Sequence, residues 1–142
     1  MRSGRVCDSE PVALIWYSDW EMECCGEPFA VHDIVEWDLT PALDTDWLKD
    51  IVGDELASRV THSHERHGPG EAGRRRRRGQ VLSISCAYSR YAPAPGGDEG
   101  MLYPVAGTSQ LISVDRVDGR EGRRSELDFN GYLVELELAH EA

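Results

Sequence analysis

With 142 residues and 26 Asp/Glu against 15 Lys/Arg, a net charge of −11, the chain is long enough for one self-sufficient core and too negative to favour phosphate backbones or anionic lipid as partners. The excess is local: residues 1–58 hold 14 Asp/Glu against Arg2, Arg5 and Lys49, whereas residues 59–142 hold 12 of each sign. No apolar run has the length of a membrane span and no apolar signal segment follows Arg2 and Arg5, so a cytoplasmic protein with Cys7, Cys24, Cys25 and Cys86 reduced is expected.

Residues 1–10 are polar and aperiodic, and are expected to form a mobile tail ahead of a single β-rich domain over residues 11–142. Val12 to Tyr17 is a short apolar run of strand formers, the first strand. Trp20 to Phe29 reads as a corner, because Gly26 and Pro28 supply turn chemistry and Phe29 can tuck it onto the core. From Val31 to Leu39 the pattern alternates, with Val35, Trp37 and Leu39 inward and Glu36 and Asp38 outward, until Thr40-Pro41 ends the ladder. Asp44-Thr45-Asp46 then offers N-cap oxygens. Trp47, Leu48, Ile51, Val52 and Leu56 recur at helical spacing, so one helix is predicted over about 46–58, weakened by Gly53.

A short strand over residues 59–65 would point Val60, His62 and His64 the same way. Residues 68–79 read as a flexible loop carrying the run Arg74 to Arg78, with further loops at 92–100 and 118–126. Gln80 to Tyr91 is the clearest strand, with Leu82, Ile84, Cys86 and Tyr88 facing inward. Met101-Leu102-Tyr103 reads as a return to the core, and strands over Leu111 to Val117 and Tyr132 to Leu138 complete the set. Five to seven strands and one helix predict a mainly β fold, a small barrel or strongly curled antiparallel sheet.

Asp19-Trp20-Glu21-Met22-Glu23-Cys24-Cys25-Gly26-Glu27-Pro28-Phe29, followed by Val31-His32-Asp33-Ile34-Val35-Glu36-Trp37, resembles the D-W-x-M-x-C-C-G-x-P-F signature and ensuing strand of an actinobacterial family of small proteins of unknown function. The likeness extends loosely to the His-rich segment and to Gly131-Tyr132-Leu133-Val134, covering most of the chain after the tail. It implies a domain that begins near the first strand, with residues 1–10 as an extension and the arginine run particular to this chain. It implies no activity.

Four groups of residues are candidates for function. Cys24, Cys25 and Cys86 with His62, His64 and His67 are zinc-ligand types, and His-x-His-x-x-His could bring imidazoles together. The spacing is not that of a zinc finger, however, and small buried thiols with solvated histidines account for the same residues more simply. Cys24 or Cys25 with His64 and Asp19 would make a thiol–imidazole nucleophile, which acidic surroundings would blunt by raising the thiol pKa. The five arginines could bind phosphate, but without interleaved aromatics they read as a solvated loop lying against the molecule's own acidic half.

Last come the aromatics: strand parity puts Trp37 inside, helical spacing puts Trp47 inside, and Trp16 and Tyr17 must face opposite ways. The leading expectation is a binding or interaction domain with no catalytic motif and no cofactor. In it Asp19, Trp20, Glu23, Cys24 and Cys25 meet a cationic or peptide partner. The alternative is a zinc-binding or thiol-dependent enzyme built on Cys24, Cys25, His62, His64 and His67.

Overall fold

Three alternating stretches and one apolar run of the sequence become the long staves of a barrel, and one short strand fills the gap between two of them. A computed structural model describes residues 12–41, 46–64, 75–93, 96, 100–105, 107–119, 121 and 127–139. Among these, the strands in chain order are β1 (Val12–Ser18), β2 (Phe29–Ala30), β3 (Ile34–Pro41), β4 (His62–His64), β5 (Arg75–Ser89), β6 (Tyr91–Ala92), β7 (Tyr103–Pro104), β8 (Gln110–Val114), β9 (Arg116–Val117) and β10 (Asp128–Leu138). Three short helices, α1 (Asp19–Cys25), α2 (Lys49–Val52) and α3 (Asp54–Arg59), accompany them, with a 3-10 turn at Asp46–Leu48 leading into α2. The expected tail and His67 lie outside the described residues, as does much of the three expected loops.

Pairing runs β10–β1–β4–β3–β5 and returns to β10, so five strands close on themselves and leave few open edges. Every contact in this ring is antiparallel except β1–β4, where Ile15 faces His62 and Trp16 faces Ser63 in parallel. The length of β5 makes closure work. One edge pairs with β10 over residues 79–89, while the other is shared by β3 at residues 75–80 and β8 at residues 84–88. Between those two partners the turn after β2 docks on Val81: the His32 amide donates to the Val81 carbonyl (2.8 Å) and the Val81 amide to the Asp33 carbonyl (2.9 Å). His32 takes a left-handed conformation there, with φ 82°.

The barrel interior holds Ile15, Tyr17, Trp37, Leu39, Val81, Ile84, Cys86, Tyr132, Val134 and Leu136. A second core lies outside the wall, where Leu48, Ile51, Val52, Ala57 and Val60 pack onto Trp16, Ala87 and Leu133. The wall is therefore buried on both faces there, which is why Ile15, Trp16 and Tyr17 are all buried in succession although adjacent strand residues point opposite ways. Trp16 lies under the helical layer and Tyr17 faces inward.

Several local expectations are corrected. The run Arg75 to Arg78, expected in a loop, is the first part of β5, because β3 presents facing carboxylates: Arg76 Nε lies 3.5 Å from Glu36 Oε1 and Arg76 Nη1 3.4 Å from Asp38 Oδ1. Within β5 the inward set is Val81, Ile84, Cys86 and Tyr88, with Leu82 outside at 37% exposure. The register to β10 shifts there, since Ser83 faces Glu135 but Val81 faces Leu136; the extra residue is a β-bulge that flips the parity.

The segment 46–58 is helical but not one helix. It opens as a 3-10 turn and breaks at Gly53, which takes φ 92°. A 3-10 turn advances about 120° per residue instead of 100°, and Trp47, expected on the buried side, is half-exposed. Trp20 to Cys25, expected as a corner, belongs to α1. The signal was present as Ser18-x-x-Glu21, the capping-box pattern, although no side-chain cap hydrogen bond forms. Met101, Leu102 and Tyr103 do not re-enter the core; they are exposed.

A cavity lined by aromatic residues and carboxylates

One interior space adjoins the junction of β1 and α1. It is a cavity of about 760 Å³ whose wall is assembled from five stretches of chain. Trp16, Ser18 and Asp19 come from the end of β1 and the start of α1, and Trp47, Asp50 and Ile51 from the helical layer. Ser63 and His64 belong to β4, while Tyr91, Leu102, Tyr103 and Pro104 come from the β6–β7 hairpin and its approach. Asp128, Phe129 and Asn130 open β10.

Each contribution has a local cause. Trp16 points away from the barrel interior by strand parity and meets Trp47 edge-on, with centroids 6.0 Å apart and planes at 76°. The β6–β7 hairpin is held by Tyr91 opposite Pro104, by the Val105 amide donating to the Arg90 carbonyl (2.8 Å), and by Thr108 Oγ1 accepting from the Arg90 amide (3.0 Å). That arrangement stands Leu102 and Tyr103 at the mouth, where Leu102 is 58% exposed. In β10 the register shifts between Phe129 and Gly131, so Asn130 is a bulge residue with a buried side chain. Its Nδ2 donates to Ser89 Oγ (2.8 Å), and its Oδ1 accepts from the Tyr91 hydroxyl.

The electrostatics are of one sign. Asp19, Asp50 and Asp128 are in the wall, and among the described residues no wall position is Lys or Arg. Burial raises the Tyr91 phenol above its ordinary pKa, and the carboxylates of Asp19 and Asp128 raise it further. The Trp16 indole N–H, in a side chain only 4% exposed, is buried without a hydrogen-bond partner.

Two smaller recesses adjoin this region. One of about 200 Å³ is bounded by Asp19, Glu23, Glu121, Asp128 and Tyr132, where the Tyr132 hydroxyl donates to Glu121 Oε1 (2.6 Å). The other, of about 280 Å³, lies by Phe29, Glu36, Trp37, His64 and Arg76. His64 borders both this recess and the large cavity.

The expected site residues divide accordingly. Asp19 stands in the wall of the large cavity and Glu23 in the neighbouring recess. Trp20, Cys24 and Cys25 have their backbone in α1, and their side chains lie outside the described residues. His64 is a core residue, stacked on Trp37 at 5.0 Å and edge-on to Tyr17 at 4.6 Å, with Nδ1 3.1 Å from the Asp38 carbonyl. His62 is half-buried with Nδ1 2.8 Å from Thr61 Oγ1; burial and then the charge of Arg77 lower its pKa. Among the described residues no group of three or more His, Cys, Asp or Glu side chains is placed to hold a metal ion. Cys86 is an ordinary buried thiol of the barrel interior.

Sequence reading did not find Tyr91, Leu102, Tyr103, Asp128 or Asn130 as cavity residues. The available signal was the density of aromatics at Tyr88, Tyr91, Tyr103, Phe129 and Tyr132, which alone does not say which share a wall. Among the described residues no helix is long and apolar enough to cross a membrane. Neither curated proteins nor solved structures yield a match to the chain. A family model does match, from Val12 to Leu138, and so spans every barrel strand and all three helices: the chain belongs to the family of unknown function DUF6578.

Proposed function

We propose that this is a non-enzymatic binding domain whose site is the cavity beside the β1–α1 junction and whose ligand is a small organic cation with an apolar body. The observation that carries this reading is the pairing of aromatic walls from Trp16, Trp47, Tyr91, Tyr103 and Phe129 with the carboxylates of Asp19, Asp50 and Asp128. Aromatic faces attract a cation through their quadrupole, and carboxylates do so by charge; both effects strengthen where water is excluded. The volume supports a molecule rather than a lone ion, since ligand cavities commonly measure about 300–1,000 Å³. Asp19 is the member of the expected site that enters this reading directly. Glu23, a further member of that set, lines the neighbouring acidic recess.

Thermal unfolding with shape-matched probes of opposite charge tests the proposal. Phenethylamine should raise the melting temperature, with a stabilisation of about 2.7 kcal/mol at one hundred times its Kd, and 3-phenylpropionate should not. Asp128→Asn and Trp47→Ala should each weaken the amine about tenfold, a loss of one hydrogen-bonded or cation–π contact. Equal stabilisation by the anion, or no response to either probe, overturns the reading.

A further inference from the structure

Among the described residues two buried side-chain polar atoms make no hydrogen bond, Trp16 Nε1 and Thr40 Oγ1, and of these two residues Trp16 lines the large cavity. Packing does not call for that donor: Trp16 lies under Leu48, Ile51 and Val52 and against the Trp47 ring, contacts that are apolar or aromatic. A buried N–H left unmade is costly, and the cost is recovered by whatever brings an acceptor to it.

An indole nitrogen only donates, so its partner must be an acceptor. A carboxylate would have to enter beside Asp19, Asp50 and Asp128, in a wall with no Lys or Arg among the described residues, against the repulsion of like charges. A neutral carbonyl oxygen meets no such barrier.

Resting on the cavity as a cation site, we propose that its ligand carries, besides the ammonium, a neutral carbonyl oxygen that accepts from Trp16 Nε1: an amino amide in preference to a plain arylalkylamine. The nitrogen is closed to solvent as the rings lie, so the carbonyl reaches it as a neighbouring ring turns. Trp47, half-exposed and edge-on to Trp16 at 6.0 Å, is the neighbour with room to turn. Once made, the bond is sheltered from water, where it is strongest.

Calorimetric titration of the full chain with three probes tests it: N-(2-aminoethyl)benzamide, 4-phenylbutylamine, which has the same length without the carbonyl, and N-propylbenzamide, which has the amide without the ammonium. The amino amide should bind about tenfold tighter than the plain amine. It alone of the two amines should move the Trp16 indole N–H proton resonance downfield. Replacing Trp16 by 3-benzothienylalanine puts sulfur where the N–H stood, which identifies the resonance by its loss. The replacement should weaken the amino amide about tenfold and leave 4-phenylbutylamine within about twofold. If the replaced protein does not fold, the resonance in the unaltered chain, assigned through its ring neighbours, decides alone. Equal binding of the two amines with that resonance unmoved, or a replacement that changes both amines alike, overturns the carbonyl pairing and leaves a cation site in place. N-propylbenzamide binding as tightly as the amino amide, or no binding of any probe, removes the cation site and the amino amide class together.

Discussion

Tyr132 sits at the centre of the barrel, wholly buried, with its hydroxyl donating to Glu121 Oε1 at 2.6 Å. Burial raises its pKa above the free value of 10, and the hydrogen bond to Glu121 raises it further. A phenol whose folded pKa is raised contributes its full share to stability below pH 10. That share is lost as the pH climbs, because the unfolded chain can release the proton and the folded one holds it. Tyr132→Phe should therefore have two effects of opposite pH dependence. At pH 7 it removes a hydrogen bond to a charged acceptor and should destabilise by about 2 kcal/mol.

Between pH 10 and 11 the wild type should lose about 1 kcal/mol that the variant does not, given about 1.4 kcal/mol per pH unit for one fully coupled proton. Urea unfolding followed by tryptophan fluorescence at pH 7, 9, 10 and 11, at constant ionic strength, measures both. The two stability curves should run parallel to pH 9 and converge above pH 10. Curves that stay parallel through pH 11, or diverge, would refute the reasoning.

Gly131→Ala should be among the most damaging single changes. Its Cβ would stand 2.6 Å from the Tyr17 carbonyl oxygen and 2.9 Å from Ser18 Cα, both backbone atoms of β1 that no rotamer change can move, so a loss of about 3 kcal/mol in urea unfolding is expected. The β5 bulge predicts a contrast between neighbours: Val81→Ala, at a fully buried position, should cost about 2 kcal/mol and Leu82→Ala less than about 0.5 kcal/mol, and the reverse order would contradict the register. Arg76→Ala should cost less than about 1 kcal/mol despite its two carboxylate neighbours, because the Arg76 and Glu36 side chains are 52% and 55% exposed and even Asp38 keeps 26%, and the cost should shrink at 0.5 M salt.

Much of the architecture is legible along the chain. The alternation of Val35, Trp37 and Leu39, and of Tyr132, Val134, Leu136 and Leu138, is local information, because one inward face imposes a period of two on the residues themselves. Where two faces are buried the rule fails by the same logic: Ile15-Trp16-Tyr17 cannot reveal from sequence which side chain meets the barrel interior and which the helices. The arginine run was misplaced because a row of like charges resembles a solvated loop until a row of carboxylates is set opposite it. Glu36 and Asp38, some forty positions earlier, do that only once β3 and β5 are paired.

Taken alone, the amino-acid order determined the β character, the inward residues of β3 and β10, the helical stretch with its weak point at Gly53 and the acidity of the first part of the chain. Closure of the ring, the bulges at Leu82 and Asn130 and the assembly of the cavity were decided only in three dimensions. The physical reason is range. Periodicity and turn chemistry act between neighbours, whereas barrel closure and the meeting of Asp19, Trp47, Tyr91 and Asp128 depend on register between strands far apart in the chain.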